Sequence, residues 1–281
     1  MAQNNTYGTV SGGARHGNGL LNGADAERAA LLGKPDGHDS LTAKLGRHMT
    51  RDISKSWGDL MLLGCYIITG LLDSSSVQVW GSFVSMQTGN TVYLGLGLAA
   101  PYASTRWIRA GISVSCFCLG SAFFARYHRY FGQRKRWVMV SAYTLQLLMI
   151  LAAALMATLG PQTGPSGGVT VWVAVPIALI AFQSAGQAVT SRVLSYGGLT
   201  SVVLTSIYCD LFSDQKLFSA FTENVERNRR AAAPLMVLVG ALAGGLWAHS
   251  EWGMAGALWT GVVLKAMVTV GWLLWKADPD I

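Results

Sequence analysis

The sequence predicts an all-α membrane protein, a polytopic bundle of helices. Only 12% of its 281 residues are charged, whereas about 25% is typical of soluble domains. Its mean hydropathy is positive, at +0.37. Apolar residues gather into runs of about 20 with almost no charge, the length that a helix needs to cross about 30 Å of hydrocarbon. The lipid bilayer is therefore the expected partner of most of the surface.

The chain begins with two segments that precede these apolar runs. Residues 1–40 are rich in Gly, Asn, Ala and Ser and have no apolar run, so we expect a disordered tail. In residues 41–56, an apolar residue recurs at every fourth position, and the basic side chains lie on other faces of the predicted helix. This pattern favours a basic amphipathic helix on the membrane surface, with a frayed polar linker as the alternative. The apolar positions are Leu41, Leu45, Met49 and Ile53.

The helical transmembrane domain is predicted over residues 57–276, with halves at about 57–160 and 169–276 and a short tail at 277–281. Each half contains four apolar runs. Polar residues interrupt the second run at 87–90 and the sixth at 205–210. Lipid penalises polar or irregular backbone at such places. We therefore expect six crossings and two broken or re-entrant segments, with eight full crossings as the alternative.

Basic residues favour the first of these topologies. They follow the third run, at 126–136, and the sixth run, at 216–230. With six crossings, both groups lie on the same side as the basic amino-terminal arm, as the positive-inside rule requires. Both termini are then cytoplasmic, in an organelle that the sequence does not indicate, and the halves form an inverted repeat.

The excess of cations, a formal charge of +7, lies between the apolar runs. This placement favours contact of the basic loops with anionic lipid heads. It speaks against a nucleic-acid-binding face. A homo-oligomer is compatible with the sequence.

Polar residues near the two interrupted runs are the candidates for a substrate path. Asp73, at the end of the first run, is either a solute- or proton-binding acid or the cap of the next helix. A helix break at Gly89 would expose backbone groups that a solute could contact. The alternative is that the small and polar residues at 87–91 serve tight packing between helices. The candidates are Asp73, Gln87, Thr88, Gly89, Asn90 and Thr91 in the first half, and Gln183, Gln187, Thr205 and Ser206 in the second.

Two further charges are predicted to be buried, Asp210 in the sixth run and Lys265 in the last. A lysine inside the membrane needs a counter-charge, and Asp210 or Asp73 is expected to provide it. This ion pair would either stabilise the fold or act as a gate that breaks during transport. Snorkelling of Lys265 to the interface is the alternative.

The sequence contains no motif of a known enzyme class. It has no Gly-x-Ser-x-Gly elbow, no phosphate-binding loop and no His-Glu-x-x-His pair. Its four cysteines lie within apolar stretches without metal-ligand spacing. We expect no enzymatic activity, no cofactor and no metal.

Several stretches resemble a known membrane family. Residues 70–73 (Gly-Leu-Leu-Asp) and 86–95, with their Thr-Gly-Asn-Thr element, are similar to the signature of the YoaK-like integral membrane family, domain-of-unknown-function family 1275. Residues 181–187 and 203–211 look like its fungal branch. The resemblance implies a multi-pass helical membrane protein and no established substrate or reaction.

Together these features favour a secondary transporter or permease-like protein for a small solute. The alternative is a non-transporting membrane scaffold or regulator that acts through its cytoplasmic tail and loops.

Overall fold

A computed structural model describes residues 41–161, 164 and 167–278. The predicted disordered tail at 1–40 lies outside the described residues. The chain divides between Lys44 and Leu45 into two units, and the packing below is that of the second.

Long and short helices follow one another along the described chain in the predicted order. Six of them are long and apolar enough to span a membrane, and two short ones follow the first and fourth of these. The prediction of a six-span helical bundle with two broken segments is confirmed. The helices are α1 (Leu41–Thr50), α2 (Gly58–Trp80), α3 (Gln87–Ala99), α4 (Arg106–Phe131), α5 (Arg136–Leu159), α6 (Val171–Val193), α7 (Thr205–Phe212), α8 (Val225–Ala248) and α9 (Gly253–Leu274).

Helix α2 begins and α9 ends at the same end of the bundle, which we call the tail end; the opposite end is the far end. The connection before α2 holds the tail end together. Ile53 N donates to Arg134 O at 2.9 Å, and Ser54 N donates to Lys276 O at 3.0 Å. The buried guanidinium of Arg136 donates to the carbonyls of His48 and Trp275. Helix α1 ends at Thr50, before the boundary predicted at residue 56.

The segment that contains α3 enters the bundle and returns to the end from which it came. At the far end, Arg106 at the start of α4 donates to the carbonyl of Gly81, directly after α2. Deeper in the bundle, Gln87 Nε2 donates to Ser113 Oγ at 3.1 Å, about two turns into α4. The first broken segment is therefore re-entrant from the far end.

The segment that contains α7 does the same from the tail end. The hydroxyl of Tyr196 donates to Lys55 O at 2.9 Å, close to the start of α2. Ser201 then reaches Gln187, about two turns inside α6, with 2.8 Å between Ser201 Oγ and Gln187 Nε2. After α7 the chain is back at the start of α8, where Asp214 lies 3.4 Å from Arg230.

The six long helices pack in pairs that cross between the two halves. Helix α2 packs along α8, α4 along α6, and α5 along α9, with further contacts of α5 with α6 and of α9 with α2. Glycines allow the closest approaches, as is common between membrane helices. A Cβ atom at Gly240 would lie 2.1 Å from Ile67 O, and one at Gly120 would lie 2.5 Å from Phe182 O.

The re-entrant geometry predicts which loops share a side of the membrane. In a chain without its native cysteines, single cysteines at Gln133 and Phe221 should react with an impermeant thiol reagent from one side, and those at Ala103 and Gly164 from the other. Eight crossings would instead group Phe221 with Ala103 and Gly164. Labelling of intact and permeabilised membranes measures this, with Leu242→Cys, on the exposed face of α8, as an unreactive control.

Candidate functional site

Asp73 binds the tip of the first broken segment. It lies within α2 and is only 3% exposed. Its Oδ1 accepts hydrogen bonds from Val84 N at 2.7 Å and Ser85 N at 2.8 Å, and its Oδ2 accepts one from Met86 N at 3.1 Å. These amides immediately precede α3, where a negative charge is favourable. The geometry supports the capping role of Asp73 over solute binding.

Asn90 folds the entering chain back onto α3. Its Oδ1 accepts from Phe83 N at 3.0 Å, and its Nδ2 donates to Phe83 O at 2.7 Å and to Gln87 Oε1 at 2.9 Å. A Cβ atom at Gly89 would lie 2.6 Å from the Phe83 ring, so glycine permits this contact. Thr88 and Thr91 are exposed on α3, and their role in a substrate path stays a prediction.

Gln187 binds the tip of the second broken segment and is 1% exposed. Its Nε2 lies 2.9 Å from Cys65 O, 3.0 Å from Thr69 Oγ1 and 2.8 Å from Ser201 Oγ, so two N–H groups serve three acceptors. Ser201 has a φ of 61°, which costs a residue other than glycine about 1–3 kcal/mol. This tip is held less firmly than the first.

The polar interruption predicted at 205–210 in the second half does not lie in the interior of the bundle. Thr205 and Ser206 begin α7 with exposed side chains, because the chain makes its deepest contacts earlier, at Ser201. Asp210 is also exposed, on the outer face of α7. The prediction that Asp210 is buried is therefore wrong, whereas a path role of Thr205 and Ser206 stays a prediction.

Lys265 is fully buried near the middle of α9. Its Nζ donates to Gln146 Oε1 at 2.9 Å and to Gln187 Oε1 at 2.8 Å, and it lies 5.1 Å from the centroid of the Tyr143 ring. In the described part of the chain it makes no ion pair. The predicted carboxylate partner is wrong, because Asp73 binds backbone amides and Asp210 faces outward. Snorkelling is wrong as well, since the side chain is enclosed.

The two broken segments meet beside this lysine. Ser184 Oγ lies 3.2 Å from the carbonyl of Val84 in the first tip, one turn of α6 before Gln187. Met86 of the first segment packs against the cluster that contains Leu199 and Ile207 of the second. Gln183, also on this stretch of α6, is 1% exposed, and its Oε1 has no hydrogen-bond partner among the described residues.

Residues 61–271 match the family model described as "Protein of unknown function (DUF1275)". The chain belongs to this family. The matched region includes both broken segments, Asp73, Gln187 and Lys265. No curated protein and no solved structure matches the chain significantly.

An ion pair closes the bundle at the tail end. Arg229 Nε lies 2.7 Å from Asp59 Oδ2, and the guanidinium lies 5.2 Å from the Tyr196 ring centroid. Burial raises the pKa of Tyr196, and the carboxylate of Asp59 adds to this while Arg229 opposes it. The phenol therefore stays neutral at physiological pH and remains a donor to Lys55 O.

Arg109 closes the far end. It donates through Nη1 to Trp80 O at 2.7 Å and through Nη2 to the carbonyl of Gly167. This joins the end of α2 to the connection before α6. Beside it lies a cleft of about 300 Å³, whose lining includes Gln78, Trp80, Met156, Trp172 and Trp252.

Sequence analysis missed the residues that complete these sites. Gln146 is a polar side chain in an otherwise apolar run, which is a recognisable signal inside a membrane. Arg109 and Arg229 lie close to the starts of apolar runs, where basic residues are common at the interface. Nothing in the sequence indicates that these two arginines close the ends of the bundle.

The capping role predicts that Asp73→Asn destabilises the protein. An asparagine offers one acceptor oxygen in place of two and turns an NH₂ donor toward backbone N–H groups. The free energy of unfolding should fall by about 3 kcal/mol, measured by thermal denaturation in detergent. Asp210→Asn, at an exposed position, is the matched control; equal melting temperatures for the two variants would contradict the role.

Proposed function

We propose that the chain is a secondary transporter of a small solute, with its binding site between α2, α5, α6 and α9 at Lys265. One observation carries the proposal. Two broken segments enter from opposite ends, and their tips bind to one turn of α6, at Ser184 and Gln187, next to a buried lysine. Secondary transporters commonly bind solutes where broken helices meet near the midplane.

An inverted repeat relates the two halves in this proposal. If α2–α5 are exchanged for α6–α9, the packing of α2 on α8 becomes that of α6 on α4. The contact of α5 with α6 becomes that of α9 with α2, and α3 on α4 becomes α7 on α8; each pair of contacts is present. Asp73 and Gln187 also correspond, since each binds the tip of the segment that follows its own helix.

Transport would require the two ends to open in turn. Both are closed in this structure, the tail end by Asp59 and Arg229 and the far end by Arg109. We assign the tail end to the cytoplasm, because the basic loops at 126–136 and 216–230 lie there. These loops would contact anionic lipid heads.

Breaking the tail-end ion pair should change flux. Loss of about 1 kcal/mol of coupling in Asp59→Asn or Arg229→Gln shifts the closed-to-open ratio about fivefold. The charge-exchanged pair Asp59→Arg with Arg229→Asp should move the rate back toward that of the native chain. Efflux of a mixed metabolite load from proteoliposomes, followed by mass spectrometry, measures this.

Arg230→Gln is the matched control, because Arg230 pairs with Asp214 and Glu226, outside the contact with α2. If the native chain moves no solute under any imposed gradient, transport is excluded. The scaffold alternative would then stand.

A further inference from the structure

We infer that the solute bound at Lys265 is a small monovalent anion. This inference rests on the proposed transport function and gives its site a ligand class. An ammonium in the middle of a membrane helix is costly unless a group of opposite charge lies beside it. The described partners of Lys265 are two neutral amide oxygens and an aromatic face, and none of them carries the balancing charge.

The site also holds an unused donor. Gln146 turns its Oε1 to Lys265, and its buried Nε2 has no hydrogen-bond partner among the described residues. A Cβ atom at residue 186 would lie 2.8 Å from this nitrogen, so Gly186 allows the amide to pack closely against α6. An ammonium and an amide N–H₂ on adjacent groups suit an anion that accepts two hydrogen bonds.

The surroundings limit the charge and size of the ligand. Cys65, Tyr143 and Gln146 around Lys265 are all fully buried, so the ligand has few heavy atoms. A second negative charge would need a second cation. Among the residues that the structure describes, the other fully buried cations are Arg109 and Arg136, which donate to backbone carbonyls at the two ends of the bundle, away from this site.

Access is expected from the tail end. Gln187 holds both the ammonium and the strained tip at Ser201. Movement of this tip would release the amide of Gln187 and expose Lys265 to the side from which the second segment enters.

The test is ligand-dependent thermal stability of the purified full chain at constant ionic strength. Formate, acetate and propionate represent carboxylates, chloride and nitrate represent inorganic anions, and acetamide is the neutral control. One anion class should raise the melting temperature with saturation, and acetamide should not. A ligand at 100 times its dissociation constant stabilises by about 2.7 kcal/mol, so the shift is measurable.

Three variants decide whether Lys265 is responsible. Lys265→Gln should weaken the apparent affinity at least tenfold, and Arg230→Gln, which removes a cation outside this site, should retain it. Gln146→Glu supplies the missing carboxylate from within, and it should raise the melting temperature while abolishing the anion response. An equal response in Lys265→Gln, or an equal shift with acetamide, overturns the inference.

The outcomes also separate the two proposals. Saturable anion binding without flux would retain the anion site and exclude transport. Flux of a neutral solute that persists in Lys265→Gln would retain transport and exclude the anion.

Discussion

The bilayer contains no water that could satisfy a broken helix, so every backbone group of the two re-entrant segments needs a partner from the protein. The first segment obtains these partners from Asp73 and Asn90, whose side chains bind consecutive amides and the backbone of Phe83. The second is bound through a side chain, because Gln187 Nε2 donates to Ser201 Oγ as well as to Cys65 O and Thr69 Oγ1 of α2. Both tips also contact α6, the first at Ser184 and the second at Gln187.

Each half contains one broken segment, and the two segments are held by different contacts. A carboxylate bound to three amides makes strong, charge-assisted hydrogen bonds, so the first tip would form the fixed wall of the proposed site. The second tip combines a neutral, shared donor with a serine at positive φ. Since Gln187 also binds Lys265, movement of this tip in the proposed transport cycle would expose the central charge, and the moving part would lie at the tail end.

The sequence predicts the spans and both broken segments, because charge-free runs and polar interruptions are local properties. The site was only partly predictable. Helical geometry turns Gln87 and Asn90 inward and Thr88 and Thr91 outward, which the stretch 87–91 does not reveal without the start of α3. The partners of Lys265 were missed because a carboxylate is the expected counter-charge, whereas the fold brings two glutamines to it from α5 and α6. The positions of Gln146 and Gln187 in the sequence do not indicate that both side chains contact Lys265.

The central claim is that the second tip controls access to the middle of the bundle. Lys265→Cys, in a chain without other cysteines, tests it through reaction with a charged thiosulfonate applied from either side. The account predicts modification from the tail side, faster when Arg229→Gln weakens the closure there. A cysteine that stays unreactive from both sides in each background, or that reacts only from the far side, would contradict it.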